Sequence, residues 1–425
     1  MIAWLLISFF VLLFLGVPIA MSLGLSAIGG ILFLGGGSTV TIAQRMFEGM
    51  NSFALLAIPL YTFAGFTMSK GGISKRLMDF CYSIVGHIYG GLAHVNVLSS
   101  MIFAGISGSA VADTAGVSGM FMPEMIRKGY SKNFTVAVTA ISSTIGIIIP
   151  PSIPMVVIAG ICGISTGRLF LGGIIPGIMC GLAQMIVSYF MAKKEGVPKE
   201  PGHFSIGPVL HGLWESWPAL LMPIIIVGTI TMGIVSPTEA GVIAVVYGLF
   251  AGGIIYRELK WEDIKFAFAE TVRTSGRIFI VIGAAKLYTV MLTTAGFDKW
   301  VANTMLGFTT NPTIILIMIL LIFFIVTMFM ESIATLTLFM PILYPIALGV
   351  GIDPIVLSVL ITVVIGVGLV TPPVGMCIYV ACDLMDVTVG EVFPTLVPFI
   401  AATFVCIALM VAFPQLILLP TYLMA

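Results

Sequence analysis

Two proline pairs, each inside a long apolar run, constrain the fold of this chain more than any other feature. One is Pro150-Pro151 and the other is Pro372-Pro373, and each interrupts a stretch long enough to span a bilayer. Proline removes a backbone donor and clashes with the preceding turn, so carbonyl groups upstream lose their helical partners. Because an unsatisfied carbonyl is costly in hydrocarbon, each break predicts another partner for these groups, such as an ion.

The composition of the chain indicates an integral membrane protein. Of its 425 residues, 59% are hydrophobic and only 8% are charged, whereas soluble domains carry roughly 25% charged residues. The formal net charge is zero, which argues against a nucleic-acid partner. The sequence has no phosphate-binding G-x-x-x-x-G-K-[ST] loop, so we expect no nucleotide cofactor, and an ion gradient must drive any uphill transport.

The apolar runs predict an all-α polytopic membrane protein with about ten to twelve crossings, since a spanning helix needs roughly 20 apolar residues. The candidate spans lie near 2–35, 53–69, 77–97, 134–165, 169–191, 217–235, 237–256, 278–296, 312–330, 354–384 and 396–424. Residues 98–128 and 326–350 are too polar for a lipid-facing helix and too apolar for a loop, so each predicts a re-entrant hairpin. Residues 256–277 predict an amphipathic interfacial segment, with an ordinary loop helix as the alternative.

The two halves of the chain resemble each other at polar, proline and glycine positions. At shifts of 222 or 218 positions, the matches include Gly146 with Gly368, Pro150 with Pro372, Pro123 with Pro341, Ser109 with Thr327, and Asp113 with Glu331. A broken membrane helix that occurs twice, at matching places, indicates the binding site of a transporter. Chance similarity among apolar runs is the alternative.

The similarity between the halves predicts two inverted repeats. The first repeat covers residues 1–192, with a hairpin near 98–128 and a broken helix near 134–165. The second repeat covers residues 217–425, with the amphipathic segment 256–277, a hairpin near 326–350 and a broken helix near 354–384. Residues 193–216 form a polar linker between them, and its lysines favour the cytoplasmic side.

The first predicted hairpin contains Ser107-Gly108-Ser109, whose small residues allow a tight turn and a close approach to a ligand. Hydroxyl oxygens and bare carbonyl groups suit a hard cation. The hairpin and the carbonyl groups of residues 146–149 therefore predict a sodium site without formal charge. A pseudo-symmetric second site is predicted from Thr327, Gly366, Gly368, Val370 and Pro373. The alternative is a polar turn that satisfies its own backbone.

Asp113 and Glu331 are costly in such apolar surroundings, and carboxylates inside a membrane are candidates for function. They would support the ion sites, orient the hairpins or bind a proton. The alternative is that each carboxylate caps the N-terminus of a hairpin helix.

In combination, the Ser-Gly-Ser hairpin, the two Pro-Pro breaks and the order of the repeats resemble a known family. They are similar to the large, DctM-like membrane subunit (M subunit) of tripartite ATP-independent periplasmic (TRAP) transporters, over essentially the whole chain. The resemblance implies an elevator-type ion transporter in the bacterial inner membrane, with sodium-coupled uptake of organic acids such as sialic acid or C4-dicarboxylates. Overall similarity leans towards the sialic-acid type.

The resemblance also implies partners and ligands. The partners would be a small TRAP membrane subunit on a separate chain and a soluble periplasmic substrate-binding protein. At least two sodium ions are expected, and the first sodium site maps onto Ser107, Ser109, Gly146, Ile148 and Pro151. The substrate would bind between the hairpin tips, near Ser107, Gly108, Ser109 and Thr327. Three alternatives stay open: a stand-alone sodium/dicarboxylate symporter of the same superfamily, an intramembrane enzyme using Asp113 and Glu331, and a channel.

Overall fold

The computed structural model describes residues 1–34, 38–197 and 204–424, and most of these residues are helical. The helices of the first half are α1 Ile2–Phe14, α2 Ile19–Leu34, α3 Thr39–Met50, α4 Ala57–Lys70, α5 Ile73–Val85, α6 Gly91–Ser107, α7 Ala110–Arg127, α8 Lys132–Ser143, α9 Ile153–Cys162 and α10 Thr166–Glu195. Those of the second half are α11 Ile206–Thr231, α12 Pro237–Phe250, α13 Trp261–Thr294, α14 Phe297–Phe308, α15 Pro312–Thr327, α16 Ser332–Gly349, α17 Pro354–Gly368, α18 Met376–Asp383 and α19 Val389–Ala412. No strand occurs within the described ranges.

Both full-length and shorter apolar helices are present. Seven segments among the described residues are long and apolar enough to cross a membrane: Phe53–Lys70, Thr166–Glu195, Ile206–Thr231, Pro237–Ile255, Trp261–Thr294, Ser332–Gly349 and Val389–Ala412. Six more apolar helices have only 10–17 residues, and they include α6, α9, α15 and α17. Helices α9 and α17 fall in the predicted broken helices and most of α6 falls in the first predicted hairpin, whereas α15 falls in a predicted span. The prediction of an all-α polytopic membrane protein is confirmed.

The helix boundaries repeat between the two halves at a nearly constant offset. Helices α7 and α16 each have 18 residues and begin 222 positions apart, and α8 and α17 also begin 222 positions apart. In the turns between these helices, Gly129 and Gly351 have φ angles of 86° and 84°. The second arm of each hairpin and the helix after it are therefore equivalent elements.

The hairpins require a correction to the predicted register. Ser109 is the N-cap of α7 and Glu331 is the N-cap of α16, so the shift of 222 holds through these helices. Asp113 is thus equivalent to Thr335, and not to Glu331. The shift of 218 also gave a match because α16 contains two prolines four residues apart, so that a slip of one helical turn still superimposes a proline.

Three predicted boundaries also differ from the structure. The first hairpin begins earlier than residue 98, because α6 starts at Gly91. The predicted hairpin 326–350 covers only α16, whereas its first arm is α15, which the sequence assigned to a span. Helix α15 is apolar from residue 314 to residue 326, so its composition carries no sign of a hairpin. The amphipathic segment 256–277 is not separate, because its helical part opens the 34-residue helix α13.

The two broken helices run in opposite directions and meet where each is interrupted. Helix α8 leads through the turn 144–147 to the first proline pair, and α17 leads to the second. A Cβ atom on Gly366 would lie 3.3 Å from Cβ of Thr144. Lys132 Nζ, at the start of α8, donates to Met385 O, just after α18, at 3.2 Å. The first broken helix therefore begins beside the end of the second, which is the arrangement of inverted repeats.

The helices form an inner and an outer group. In the inner group, comprising α6–α9 and α15–α18, α9 packs against α16, and α18 packs against α7 and α8. In the outer group, comprising α1–α5 and α11–α14, α4 packs against α12 and α13, and α5 packs against α11. Tyr61 and Tyr288 are buried in the outer group and donate to Pro237 O and Leu5 O, each at 2.9 Å. The inner group thus holds both hairpins and both breaks.

Candidate functional site

The tip of the first hairpin is a three-residue turn. Ser107 ends α6, Gly108 has a φ of 64°, and Ser109 caps α7 by accepting the N–H of Ala112 at 3.5 Å. The N–H of Ser109 donates to Ser107 Oγ at 3.2 Å. Because glycine adopts the left-handed conformation without a steric penalty, the Ser-Gly-Ser order closes the turn. Both hydroxyl groups are thereby placed at the start of α7.

Asp113 is fully buried beside this turn. Its Oδ1 accepts the hydroxyl of Ser107, whereas Oδ2 has no hydrogen-bond partner among the described residues. A Cβ atom on Gly146 would collide with Oδ2, so the backbone of Gly146 lies directly against the free oxygen. A buried charge is strongly unfavourable without a partner. The predicted cage therefore has a carboxylate at its border, and a cation would compensate that carboxylate.

The first proline break is hydrogen-bonded to the hairpin tip. The N–H of Ile153, just after the break, donates to Gly108 O at 3.2 Å. A Cβ atom on Gly108 would lie 2.7 Å from Pro151 O, so the Pro151 carbonyl faces the turn. Ser152 Oγ donates to Ile147 O at 2.5 Å. The carbonyl group of Ile147 was expected to lack a helical partner because of the break. It is thus hydrogen-bonded by the hydroxyl of Ser152, the residue directly after the proline pair.

The structure brings four of the five predicted residues of the first site together. Ser107, Ser109, Gly146 and Pro151 all adjoin the tip. The carbonyl of Ile148 instead lies against α10, where a Cβ atom on Gly173 would contact it. Sequence reasoning missed Ser152, although a hydroxyl directly after a proline pair in an apolar run was a usable signal.

The tip of the second hairpin has a longer turn but the same link to its break. Residues 328–330 separate α15 from Glu331, and the N–H of Val374 donates to Met328 O at 3.0 Å. Thr327 ends α15, as Ser107 ends α6. Thr327 is therefore the counterpart of Ser107 rather than of Ser109. Its hydroxyl donates to Phe323 O within its own helix.

The remaining residues of the predicted second site are spread over a wider region. A Cβ atom on Gly368 would lie 2.7 Å from Cβ of Thr327, whereas Gly366 faces Thr144 of the first half. The N–H of Val370 donates to Val367 O at 3.2 Å. Pro373 O accepts the hydroxyl of Tyr379 at 3.2 Å. Thr327 and Gly368 thus form the core of this region. The Pro150-Pro151 and Pro372-Pro373 peptide bonds are both cis.

Glu331 is fully hydrogen-bonded, in contrast to Asp113. Its Oε1 accepts the hydroxyl of Ser332 at 2.7 Å, and its Oε2 accepts the N–H groups of Ile333 and Ala334 at 3.0 and 3.4 Å. The N-terminus of a helix also stabilises a negative charge. Helix capping, the alternative considered from the sequence, therefore describes Glu331 but not Asp113.

The two hairpins are each hydrogen-bonded to an interrupted helix, and the two interrupted helices are antiparallel. This arrangement defines the fold of a secondary membrane transporter. The crystal structure of the Alcanivorax borkumensis YdaH transporter shares this fold. Its TM-score is 0.60, with 13% sequence identity, over 87% of this chain and 86% of that chain.

The family follows from sequence comparison. The family model of the tripartite ATP-independent periplasmic transporter, DctM component, matches residues 6–416. The chain is 35% identical to the sialic acid TRAP transporter large permease protein SiaM of Vibrio cholerae, over 96% of this chain and 95% of that protein. It is also 35% identical to the C4-dicarboxylate TRAP transporter large permease protein DctM of Pseudomonas aeruginosa, over 95% and 94% respectively. The chain belongs to the DctM family of TRAP transporter large permeases.

A longer relative is the isethionate TRAP transporter permease protein DctMQ of Oleidesulfovibrio alaskensis. It is 37% identical over 92% of this chain, which spans 62% of the length of that protein. Family membership makes the chain a multi-pass inner-membrane transporter subunit and not an enzyme. The hypothesis of an intramembrane enzyme with a carboxylate pair is therefore excluded.

Proposed function

We propose that the chain carries out sodium-coupled uptake of an organic acid, sialic acid or a C4-dicarboxylate, across the bacterial inner membrane by an elevator mechanism. The observation that carries this proposal is the free Oδ2 of Asp113, buried at a hairpin tip between a hydroxyl and a glycine backbone. In its ionised form, a buried carboxylate of this kind is stabilised by a cation. Relatives that are named for sialic acid and for C4-dicarboxylates favour an organic acid as the substrate.

Two sodium sites follow from the two tips. The first uses Ser107, Ser109, Gly146 and Pro151, with Asp113 as a charged neighbour, and Ile148 joins them only if its carbonyl turns away from α10. The second site is centred on Thr327 and Gly368, with Gly366, Val370 and Pro373 around them.

Electrostatic repulsion supplies the coupling between sodium and substrate. An anionic substrate between the tips would meet the negative charge of Asp113, and placing like charges side by side costs several kcal/mol. A sodium ion at the first site removes that penalty. The substrate therefore loads only after the ion, and the carrier does not move with substrate alone.

The elevator movement displaces the inner group against the outer group. Contacts between the groups involve glycine: a Cβ atom on Gly65 of α4 would lie 3.3 Å from Cα of Ser107, and one on Gly105 of α6 would lie 2.5 Å from Pro223 of α11. Such close contacts, each with a glycine on one side, suit two surfaces that move past each other. In the family, the outer group would bind the small TRAP membrane subunit, and a periplasmic binding protein would deliver the substrate.

The decisive experiment is uptake by proteoliposomes that contain this chain and its small subunit. Labelled sialic acid and labelled C4-dicarboxylates are offered with and without the binding protein, under an imposed sodium gradient. We expect uptake that requires both sodium and the binding protein. Sodium-driven uptake without the binding protein would instead identify a stand-alone symporter, and uptake without sodium would contradict the ion sites.

A double variant tests the first site in the same assay. We expect Ser107→Ala with Ser109→Ala to abolish sodium-dependent uptake, because both candidate hydroxyl ligands are removed. The matched control is Ser8→Ala with Ser83→Ala, since these hydroxyls bond only within their own helices. Normal uptake with unchanged sodium dependence in the first variant would remove the first site from the proposal.

A further inference from the structure

A buried polar cluster lies between α6, α8 and α10, away from the hairpin tip. We call it the deep cluster, and its fully buried side chains are Asn96, Ser100, Thr139, Ser142 and Gln184. Asn96 Nδ2 donates to Thr139 Oγ1 at 2.7 Å, and Ser100 Oγ donates to Ser142 Oγ at 3.1 Å. Gln184 Nε2 reaches the same turn of α8 and donates to Ile141 O at 3.4 Å. Three helices thus meet through neutral polar groups.

One acceptor oxygen of the deep cluster has no donor among the residues that the structure describes. The hydroxyl of Ser142 donates to Asn96 Oδ1 at 3.1 Å, and Thr139 O, 3.2 Å from that hydroxyl, accepts the hydroxyl of Ser143 at 2.7 Å. Gln184 Oε1 is buried and has no partner within the described ranges. Neutral oxygens without donors are costly in an apolar interior, and they are the ligands that a hard cation takes.

The spacing of these oxygens is close to that of a cation cage. Three oxygens surround Ser142 Oγ, at 3.1 Å, 3.1 Å and 3.2 Å. Oxygens that share a cation at roughly 2.3–2.6 Å in octahedral geometry lie about 3.3–3.7 Å apart. An outward shift of a few tenths of an ångström would therefore convert the hydrogen-bonded group into a coordination shell.

The second half has aliphatic side chains at the equivalent places. Helices α6, α8 and α10 correspond to α15, α17 and α19 at offsets of 220, 222 and 223 residues. At these offsets, the counterparts of the deep cluster are all buried: Leu316, Leu320, Ile361, Val364 and Ile407. The same helix packing is thus achieved without polar groups. Packing alone does not explain the deep cluster of the first half.

The deep cluster is continuous with the first hairpin tip. Along α8 and the turn that follows, Thr139, Ser142 and Gly146 recur at intervals of three and four residues, and therefore lie on one face. Ser142 and Gly146 are one helical turn apart, about 6 Å along the axis, and Gly146 lies against Asp113. The deep cluster therefore begins about one helical turn from the first hairpin tip.

We propose that the deep cluster is an additional sodium site of the transporter, reached from the first hairpin tip. This inference rests on the proposed sodium coupling and adds one ion to the two that the tips hold. Asn96 Oδ1, Gln184 Oε1, Thr139 O and the hydroxyls of Ser100 and Ser142 supply its neutral ligands. Since four of its five side chains lie on α6 and α8 of the inner group, its ion travels with the substrate.

The test compares two substitutions of the central hydroxyl in the complete membrane complex. Ser142→Cys keeps the size of the side chain but replaces a hard oxygen with a soft sulfur, whereas Ser142→Thr keeps the hydroxyl. Equilibrium binding of ²²Na⁺ to the purified complex and the reversal potential of uptake count the ions. We expect Ser142→Cys to bind and transport one sodium ion fewer than the wild type, and Ser142→Thr to match the wild type.

Two further variants separate ion binding from packing. Gln184→Met removes the partnerless oxygen at similar volume, and we expect it also to lose one ion. Val364→Ala, which perturbs the equivalent place in the second half, is expected to keep the full count. The additional site is overturned if the wild type is sodium-coupled and both Ser142→Cys and Gln184→Met bind and transport the same number of sodium ions as the wild type. Sodium-independent uptake by the wild type would instead overturn the proposed function itself.

Discussion

The first hairpin starts its second arm with Ser109 and holds its carboxylate, Asp113, one helical turn further along α7. The second hairpin starts the equivalent arm with its carboxylate, Glu331. At the N-cap, a carboxylate accepts N–H groups that have no partner in the helix. One turn later the backbone is already engaged, as the bond from the N–H of Asp113 to Ser109 O shows. The carboxylate of Glu331 therefore caps a helix at the second tip. At the first tip, Oδ2 of Asp113 has no hydrogen-bond partner among the described residues.

The strongest test of this contrast compares Asp113→Asn with Glu331→Gln. Asp113→Asn removes the charge that would hold the first cation, so we expect the sodium concentration for half-maximal uptake to rise about 10- to 100-fold, as for the loss of a hydrogen bond or contact to a charged group. Glu331→Gln should shift it far less. Uptake into proteoliposomes over a range of sodium concentrations measures both, and equal shifts would break the contrast.

A second comparison uses one glycine beside the first tip, Gly146, and one glycine of the second broken helix, Gly366, which faces Thr144. Gly146→Ala would drive a methyl group into Asp113 Oδ2, whereas Gly366→Ala meets Cβ of Thr144 at 3.3 Å. Overpacking costs about 1–3 kcal/mol, and at Gly146 it also displaces the carboxylate. We therefore expect Gly146→Ala to lose most uptake and Gly366→Ala to keep most of it. Gly116→Ala is the control, because that position has open space.

Thermal unfolding of the purified complex tests the role of Glu331 as a helix cap. Glu331→Ala removes an acceptor for two N–H groups and one hydroxyl, and losing a cap costs about 0.5–2 kcal/mol. Ser109→Ala removes a single cap contact of 3.5 Å, so it should lower the melting temperature less. A larger loss for Ser109→Ala would reverse the assignment of roles at the two tips.

The smallest effect is expected where the two halves are alike. Tyr61→Phe and Tyr288→Phe each delete one buried hydroxyl bonded to a backbone carbonyl of another helix. Each should cost about 1 kcal/mol in stability, measured by thermal unfolding, and both should leave sodium dependence unchanged. A marked difference between them would show that the asymmetry of the molecule extends beyond the inner group.

The features that the sequence predicted well depend on local chemistry. Pro150-Pro151 and Pro372-Pro373 had to interrupt their helices, and Gly108 between two serines had to form a tight turn. The first arm of the second hairpin escaped detection because an apolar helix looks the same facing lipid or protein. The equivalence of Asp113 and Glu331 was wrong because the prolines of α16, one turn apart, supported two registers. The deep cluster was missed because its hydroxyls are separated in sequence and only gather when α6, α8 and α10 pack.

Helix α13 has a consequence for the lipid around the protein. Its 34 residues extend about 51 Å at 1.5 Å per residue, while the hydrocarbon layer is about 30 Å thick. The excess must tilt the helix or project its charged first half, which begins with Trp261, into the headgroup region. Since α13 packs against α2, α3 and α4, a change in bilayer thickness would be transmitted to the frame on which the inner group moves. The lipid mixture chosen for reconstitution is therefore a variable that acts on transport rate.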